Sequence, residues 1–148
     1  MDWKDYRHYE EYGFPAQSYD KYVEVRKHMT DGEMIDLFLK DAYRRLEYNT
    51  KCYSRRLRHD GEIVRYGTKK LTSRVLNTFT EDPFEYLSLY LFPLSSLTEE
   101  QKTELDDIKA KGIDAFEELY EFYHKNHIDF RGLIELGIAF DATNLNIY

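Results

Sequence analysis

The clearest pattern along the chain is an apolar stripe that begins after a capping box. Thr30 and Glu33 have the spacing in which a threonine hydroxyl accepts an N–H at a helix start and a glutamate reaches back. Apolar side chains then recur every three, four or seven residues: Ile35, Phe38, Leu39, Ala42, Leu46, Tyr53 and Leu57. Such spacing places them on one helix face, so the sequence predicts a long amphipathic helix over residues 34–58.

Weaker patterns describe the rest of the N-terminal half. Residues 1–17 read as an irregular lead, and residues 19–28 predict a weakly amphipathic helix. Residues 62–66 fit a short strand or an extended link, and residues 68–79 carry apolar side chains at helical spacing. Residues 84–92 form an aromatic-rich apolar run that suits either a strand or a buried helix, and the pattern leaves both open.

A second capping box opens the C-terminal part of the chain. Thr98 and Gln101 predict a helix that runs toward Tyr123, with an interruption at Lys111 and Gly112. The second half of that helix carries five side chains that are predicted to be buried: Ile113, Phe116, Leu119, Tyr120 and Tyr123.

The last predicted elements are a short helix and a terminal strand. Asp129 has the position of an N-cap that accepts the amide of Arg131 or Gly132. Gly137 has the position of a left-handed glycine at a helix end, and residues 138–140 fit a short strand. Together the patterns predict a mainly α fold, with an α+β arrangement carrying a minor sheet as the alternative.

Length and composition favour a compact helical protein of one domain. The chain has 148 residues, enough for one core and too few for two comfortable ones, so residues 1–148 are predicted to form a single domain. Its 14 tyrosines and 9 phenylalanines suit a recognition surface, and they equally suit a small core built from rings.

Several simple features predict a cytoplasmic protein without membrane contact. The first residues are acidic and polar, unlike a secretory signal. No apolar run approaches the roughly 20 residues of a membrane-spanning helix. The one cysteine, Cys52, fits a reducing compartment and is expected to be a buried, inert thiol in the middle of the long helix.

Charge is segregated along the chain. Residues 1–39 have a net charge of −4, residues 40–74 of +7 and residues 75–148 of −10. Within the basic belt of residues 40–74, five side chains would lie opposite the apolar stripe of the long helix: Arg44, Tyr48, Lys51, Arg55 and Arg58. They could form a solvated face, contact an acidic protein surface, or hold phosphates and stack on bases.

The acidic part of the chain offers a different surface. Carboxylates cluster on the predicted C-terminal helices at Glu99, Glu100, Glu104, Asp106, Asp107, Glu117, Glu118 and Glu121. Such a surface could occupy a basic nucleic-acid channel of a target by mimicking phosphate charge. Residue by residue, a solvated helix face explains these acids as well.

Catalytic and metal-binding signatures are weak. His124, His127 and Asp129 form the one group with metal-ligand spacing, but a histidine in the last turn of a helix is favourable without any metal. The chain has no glycine-rich phosphate loop, paired-cysteine motif or nucleophile elbow. The sequence therefore predicts a protein that is not an enzyme and that has no metal or cofactor.

Two motifs in the last third carry a family resemblance. The run L-S-S-L-T-E-E from Leu94 to Glu100 and the run N-H-I-D-F-R-G-L-I-E-L-G-I-A from Asn126 to Ala139 resemble small uncharacterised proteins of phages and prophages of Bacteroides-type bacteria. Phe92 and Leu136 depart from the arginine and lysine usual in that family. The resemblance marks residues 98–140 as a family-like module, and the family has no established activity.

These observations lead to one functional hypothesis and two alternatives. The leading hypothesis is a phage or mobile-element accessory protein that binds stoichiometrically to a host nucleoprotein or defence enzyme and inhibits it, as anti-CRISPR and antirestriction proteins do. The first alternative is a small RNA- or DNA-binding protein that uses the basic belt. The second is a virion or packaging accessory that self-associates through its aromatic residues.

Overall fold

The structure is a computed structural model that describes residues 29–58, 60 and 62–148, with the backbone alone at Leu57 and Val64. The lead predicted for residues 1–17 and the helix predicted for residues 19–28 lie outside this part of the chain.

Five helices and five strands make up the described residues. In chain order they are α1 (Asp31–Tyr43), β1 (Lys51–Leu57), β2 (Ile63–Lys70), α2 (Ser73–Thr78), α3 (Pro83–Tyr86), β3 (Leu87–Pro93), α4 (Glu99–Ala110), α5 (Phe116–Lys125), β4 (Ile128–Asp129) and β5 (Ala139–Asp141). Short 3₁₀ turns lie at Leu46–Tyr48, Leu94–Ser96 and Ile113–Ala115.

The strands form one mixed sheet around β3. Strand β3 pairs antiparallel with β1, which in turn pairs antiparallel with β2. It also pairs parallel with β4 and with β5. A five-stranded sheet of this kind, with helices packed beside it, defines an α+β fold. The prediction of a mainly α, helical protein is therefore wrong.

The long helix predicted over residues 34–58 is wrong in its second half. Helix α1 ends at Tyr43, and after one 3₁₀ turn Asn49 adopts a left-handed φ of 58°, which a continuing helix excludes. From residue 51 the chain is a strand that is buried on both faces, with Cys52 on one side and Tyr53 on the other. Because both faces of that strand carry buried side chains, its pattern imitates helical spacing.

The first half of that prediction is closer to the structure. Phe38 and Ala42 are fully buried as predicted, while Ile35, Leu39 and Leu46 are half-buried against the same core. Both capping boxes are confirmed, because each threonine hydroxyl accepts the N–H three residues on: Thr30 from Glu33, and Thr98 from Gln101.

The observed bounds of other elements also differ from the predicted ones. Of the helix predicted over residues 68–79 only α2 is present, because the extended chain of β2 continues to Lys70. Residues 84–92 hold both predicted alternatives in succession, since α3 leads directly into β3. The break at Lys111 and Gly112 is confirmed, with φ of Gly112 at +83°, and a terminal strand is present as β5.

Alternating side chains of β3 divide the core between the two faces of the sheet. Leu87, Leu89 and Leu91 belong to the core cluster that includes side chains of α1, while Tyr90 on the opposite face contacts Phe140 in a smaller cluster that also contains Tyr53. A third apolar cluster lies beneath the helix pair α4 and α5: Leu97, Leu105, Ile108, Ala115, Phe122, Tyr123 and Ile128. The helix pair thus has its own support beside the sheet.

Candidate interaction surface

Three large apolar side chains are exposed at the start of α5. Phe116 and Tyr120 are four residues apart on one side of α5, and Ile113 lies three residues before Phe116 in the 3₁₀ turn that leads into the helix. Their exposed fractions are 74%, 50% and 38%. The prediction that they are buried is wrong, whereas Tyr123 is buried as predicted and Leu119 is half-buried. We call Ile113, Phe116 and Tyr120 the aromatic stripe.

The rings of the aromatic stripe continue into the interior as a stacked series. The ring of Tyr120 lies nearly parallel to those of Phe116 and His124, at centroid distances of 6.2 and 6.4 Å. Tyr120 also contacts Phe130 at 5.6 Å, and Phe130 stacks on Tyr123 at 4.5 Å. These contacts restrict the side-chain conformations of Phe116 and Tyr120 before a partner binds. Binding a partner would therefore cost little additional side-chain entropy.

A buried charge cluster of Asp41, Arg45 and Arg131 lies beneath this series. Asp41 accepts two hydrogen bonds from Arg45, at 2.7 and 2.9 Å, and one from Arg131 at 2.6 Å. Arg45 also donates to the carbonyl of Ile128 at 2.7 Å. Arg131 lies over the ring of Phe130 at 4.1 Å. The cluster thus ties α1 to the segment that follows α5.

The two histidines near this cluster are held neutral. Burial, followed by the charges of Arg45 and Arg131, lowers the pKa of His124 to about 4. Burial, Arg45 and Lys51 lower the pKa of His127 to about 4 as well. Both rings are therefore uncharged at neutral pH, and protonation would add positive charge beside arginines.

The residues with metal-ligand spacing have separate partners. His124 Nε2 lies 3.3 Å from Nη1 of Arg131, and His127 stacks on Tyr148 at 3.8 Å. Burial raises the pKa of Asp129, although its carboxylate accepts the amides of Leu133 and Ile134 at 2.9 and 2.8 Å. Those amides belong to a turn and are not the predicted ones of Arg131 or Gly132, so the prediction that Asp129 caps a short helix ending at Gly137 is wrong. Among the described residues, no group of three His, Cys, Asp or Glu side chains could hold a metal ion.

The acidic residues predicted to form one surface fall into two classes. Three are paired with lysines: Glu99 with Lys102 at 3.2 Å, Glu104 with Lys125 at 3.1 Å and Glu118 with Lys111 at 2.8 Å. Five others are exposed and have no ion pair among the described residues: Glu100, Asp106, Asp107, Glu117 and Glu121. Glu117 and Glu121 each follow a ring of the aromatic stripe, so they form a parallel row beside it.

The five residues predicted to form one basic-aromatic face do not do so. Arg44 is exposed after α1, Lys51 donates to the carbonyl of Ile147 at 2.9 Å, and Arg58 pairs with Glu62 at 3.1 Å. Arg55 is fully buried, which contradicts its predicted exposure.

Tyr48 is half-buried and lies beside the acidic helix instead. Its ring is 6.1 Å from that of His124. Burial raises its pKa, with the nearby charges of Glu47 and Glu121 adding to the effect. The structure thus brings one residue of the predicted basic belt to the end of the aromatic stripe.

Cys52 is a buried residue of β1 and not of a helix. Burial raises the pKa of its thiol to about 11, so the nucleophilic thiolate is scarce at neutral pH.

No family model, curated protein or solved structure matches this chain. The phage-family resemblance of residues 98–140 stays a prediction. None of the helices within residues 29–58 and 62–148 has the length and hydrophobicity needed to cross a membrane.

Proposed function

We propose that this protein works by binding and not by catalysis, as a stoichiometric inhibitor of a host protein or nucleoprotein. Its working surface is the aromatic stripe together with the carboxylates beside it. The observation that carries the proposal is the exposure of Ile113, Phe116 and Tyr120 on α5 and the 3₁₀ turn before it, whose other apolar side chains are packed. Exposed apolar groups of this size in one row are typical of interaction sites.

The stripe has the composition of an interface centre. Aromatic side chains dominate binding energy at protein interfaces, and burying one large apolar side chain contributes about 1.5–3 kcal/mol. Phe116 and Tyr120 are already held by ring contacts with each other and with Phe130. Such preorganisation lowers the entropic cost of association.

The surrounding charge indicates the partner's chemistry. Residues 99–125 contain nine acidic and four basic side chains. Glu117 and Glu121 run beside the stripe without a lysine partner among the described residues. A complementary partner has an apolar patch with a basic rim, which suits a protein that itself binds nucleic acid. A phage-borne inhibitor would meet such a target in the host cytoplasm.

The stripe is tested with an affinity pull-down from a lysate of a Bacteroides-type host. The test variant is Ile113→Ser with Phe116→Ser. The matched control is Tyr66→Ser, which removes a ring of 49% exposure from a different element. We expect the wild type and the control to retain one specific partner and the double variant to lose it at an unchanged melting temperature. Inhibition of the purified partner should be complete at a 1:1 ratio.

The contribution of Glu117 and Glu121 is tested with two double variants, each of which replaces two acidic side chains by lysines. Glu117→Lys with Glu121→Lys changes the carboxylates beside the stripe, and Glu100→Lys with Asp107→Lys makes the same change on α4. Because exposed charges act mainly on association, the first pair should lower the association rate severalfold and the second pair should leave it near the wild-type value. Equal effects from both pairs would mean that total charge matters and the row does not.

A second copy of the chain is the competing occupant of the stripe. Light scattering across a concentration series measures self-association directly. A dimer that dissociates on Ile113→Ser and Phe116→Ser would contradict the inhibitor proposal and favour the virion or packaging accessory.

A further inference from the structure

Beyond the buried Cys52, the same face of the β1–β2 hairpin carries a group of exposed cations that the sequence pattern did not single out. Arg56 in β1 and Arg65 in β2 are directly opposed, and Ser54 and Gly67 are directly opposed two residues further along. Lys69 follows at the next position on the same face of β2. We call Arg56, Arg65 and Lys69, together with the small residues between them, the cationic saddle.

The placement of Arg56 opposite Arg65 should lower the stability of the folded hairpin. Arg56, Arg65 and Lys69 are exposed, and in the described part of the chain none of them has an ion pair or a side-chain hydrogen bond. Like charges directly opposite each other on neighbouring strands are destabilising. Among the described residues no acidic side chain offsets this repulsion, and a bound anion would do so.

The small residues Ser54 and Gly67 between the cations border an open cavity. A cavity of about 270 Å³ lies among Ser54, Arg56, Arg65, Gly67 and Lys69. Apart from Gly67 and its two chain neighbours, no described residue has an atom within 4 Å of the position that a Cβ on Gly67 would take. An anionic group can therefore approach the strand backbone between the three cations.

A larger cleft of about 500 Å³ adjoins the saddle and shares Arg56 with it. Phe79 and Tyr86 line this cleft with rings stacked at 4.7 Å and 18°. Glu81 and Asp82 add carboxylate oxygens to its wall. The volume suits one flat aromatic group, which could contact the stacked ring pair and donate from amino groups to the carboxylates.

We infer that the saddle and the cleft bind single-stranded nucleic acid, with phosphates on Arg56, Arg65 and Lys69 and one base against Phe79 and Tyr86. The cations favour a strand over a free nucleotide, because Lys69 lies about 13 Å along β2 from Arg65, beyond the reach of one phosphate. A duplex does not present an unstacked base to the cleft. An acidic peptide would be repelled by Glu81 and Asp82, whereas those carboxylates accept hydrogen bonds from the amino group of cytosine or adenine.

Fluorescence anisotropy with labelled 12-nucleotide DNA probes tests this inference. We expect oligo-dC and oligo-dA to bind more tightly than oligo-dT. The logarithm of affinity should fall with the logarithm of salt concentration with a slope of about −2, as three phosphate contacts to a single strand predict. Duplex DNA of the same length should bind at least tenfold more weakly.

Two kinds of variant locate the site. Arg56→Ala with Arg65→Ala should weaken binding at least tenfold, while Lys40→Ala with Arg44→Ala removes the same charge from exposed positions of the α1 region and should have little effect. Gly67→Leu fills the saddle without changing charge, and it should weaken binding similarly. Its melting temperature should be unchanged, because the added atoms enter open space.

Other outcomes overturn the inference. They are absence of binding at 50 mM salt, equal affinity for duplex DNA or oligo-dT, equal competition by free CMP or by poly-glutamate, and insensitivity to both saddle variants. The proposed inhibitor function is judged separately, because Ile113→Ser with Phe116→Ser leaves the saddle intact and should bind the probes normally.

Discussion

Arg55 and Arg56 are neighbours in β1, yet they lie on opposite faces of the strand and in opposite environments. Arg55 is fully buried and donates to the carbonyls of Phe84 and Glu85 at 2.7 and 2.9 Å. Arg56 is exposed, and among the described residues it has no side-chain partner. A guanidinium whose donors are all directed at its own chain stabilises the fold, whereas one with unused donors remains available to a ligand.

Arg45 is buried and forms one class with Arg55, although its Nη1 has no hydrogen-bond partner among the described residues. It is fully buried and bonded to Asp41 and to the carbonyl of Ile128. Three exposed cations, Arg56, Arg65 and Lys69, form the other class. Net charge alone does not distinguish the two classes, so mutating a basic residue tests function only where the structure shows that residue to be exposed.

The largest effect is expected from the carboxylate that the buried arginines share. Asp41→Asn leaves Arg45 and Arg131 buried without a counter-charge, which typically costs about 3–5 kcal/mol. Urea denaturation measures the free energy of unfolding. A loss below about 1 kcal/mol would mean that the arginines find other acceptors and that the buried class is not held by charge.

The next effect separates the two neighbours directly. Arg55→Met removes the hydrogen bonds to the carbonyls of Phe84 and Glu85 and should cost about 3 kcal/mol, since a hydrogen bond from a charged donor contributes about 1.5–3 kcal/mol. Arg56→Met is the matched change at the exposed neighbouring position and should stay within about 0.5 kcal/mol. Equal losses, measured by urea denaturation, would remove the distinction between the faces.

The stability of the protein should depend on pH because the buried charge of Arg45 acts on two nearby histidines, His124 and His127. Their pKa values are lowered to about 4, so these histidines stay neutral in the folded protein at pH values where the unfolded chain, with pKa values near 6.5, binds protons. Their contribution to the free energy of unfolding is therefore fully present above pH 6.5. It is lost as the pH falls toward 4, by about 1.4 kcal/mol per pH unit for each histidine. His127→Asn suits the left-handed φ of 57° and should reduce this slope between pH 6 and 5. An unchanged slope would contradict the lowered pKa of His127.

A smaller loss than those of Asp41→Asn and Arg55→Met should come from Asp129, a buried acid near the same arginines. Asp129→Ala frees the amides of Leu133 and Ile134 and should cost about 1–2 kcal/mol, at the low end for buried groups that lose their partner. The loss is modest because burial already disfavours the charged carboxylate. Partner binding should be intact, which can be checked by the same pull-down. A folded variant that lost its partner would move the functional surface to this turn.

Local signals in the sequence predicted local structure well. The capping boxes at Thr30 and Thr98 were predictable because donor and acceptor lie three residues apart. Gly112 adopts a positive φ of 83° at the predicted break for the same reason, whereas Gly137, with φ of 78°, lies in a turn and does not end the predicted helix. Each of these features needs only neighbours in the chain.

Features that depend on distant partners were missed. The strand pairing of residues 51–57 requires β2 and β3, and the burial of Arg55 requires carbonyls about thirty residues away. The aromatic stripe has the spacing of a buried face, and the spacing does not show which part of a face another element covers. The cationic saddle depends on register, because Arg56 and Arg65 are opposed only once the hairpin has formed.

The central position of β3 has a consequence for the order in which this protein folds. Its antiparallel neighbour β1 precedes it, but its parallel neighbours arrive only with residues 128–129 and 139–141, after two intervening helices. During synthesis the β1–β2 hairpin and β3 can therefore assemble early. The apolar strand β3 then lacks its parallel neighbours β4 and β5 until these two strands have been synthesised. Pairings this distant slow folding toward milliseconds or longer, compared with microseconds to milliseconds for a helical bundle.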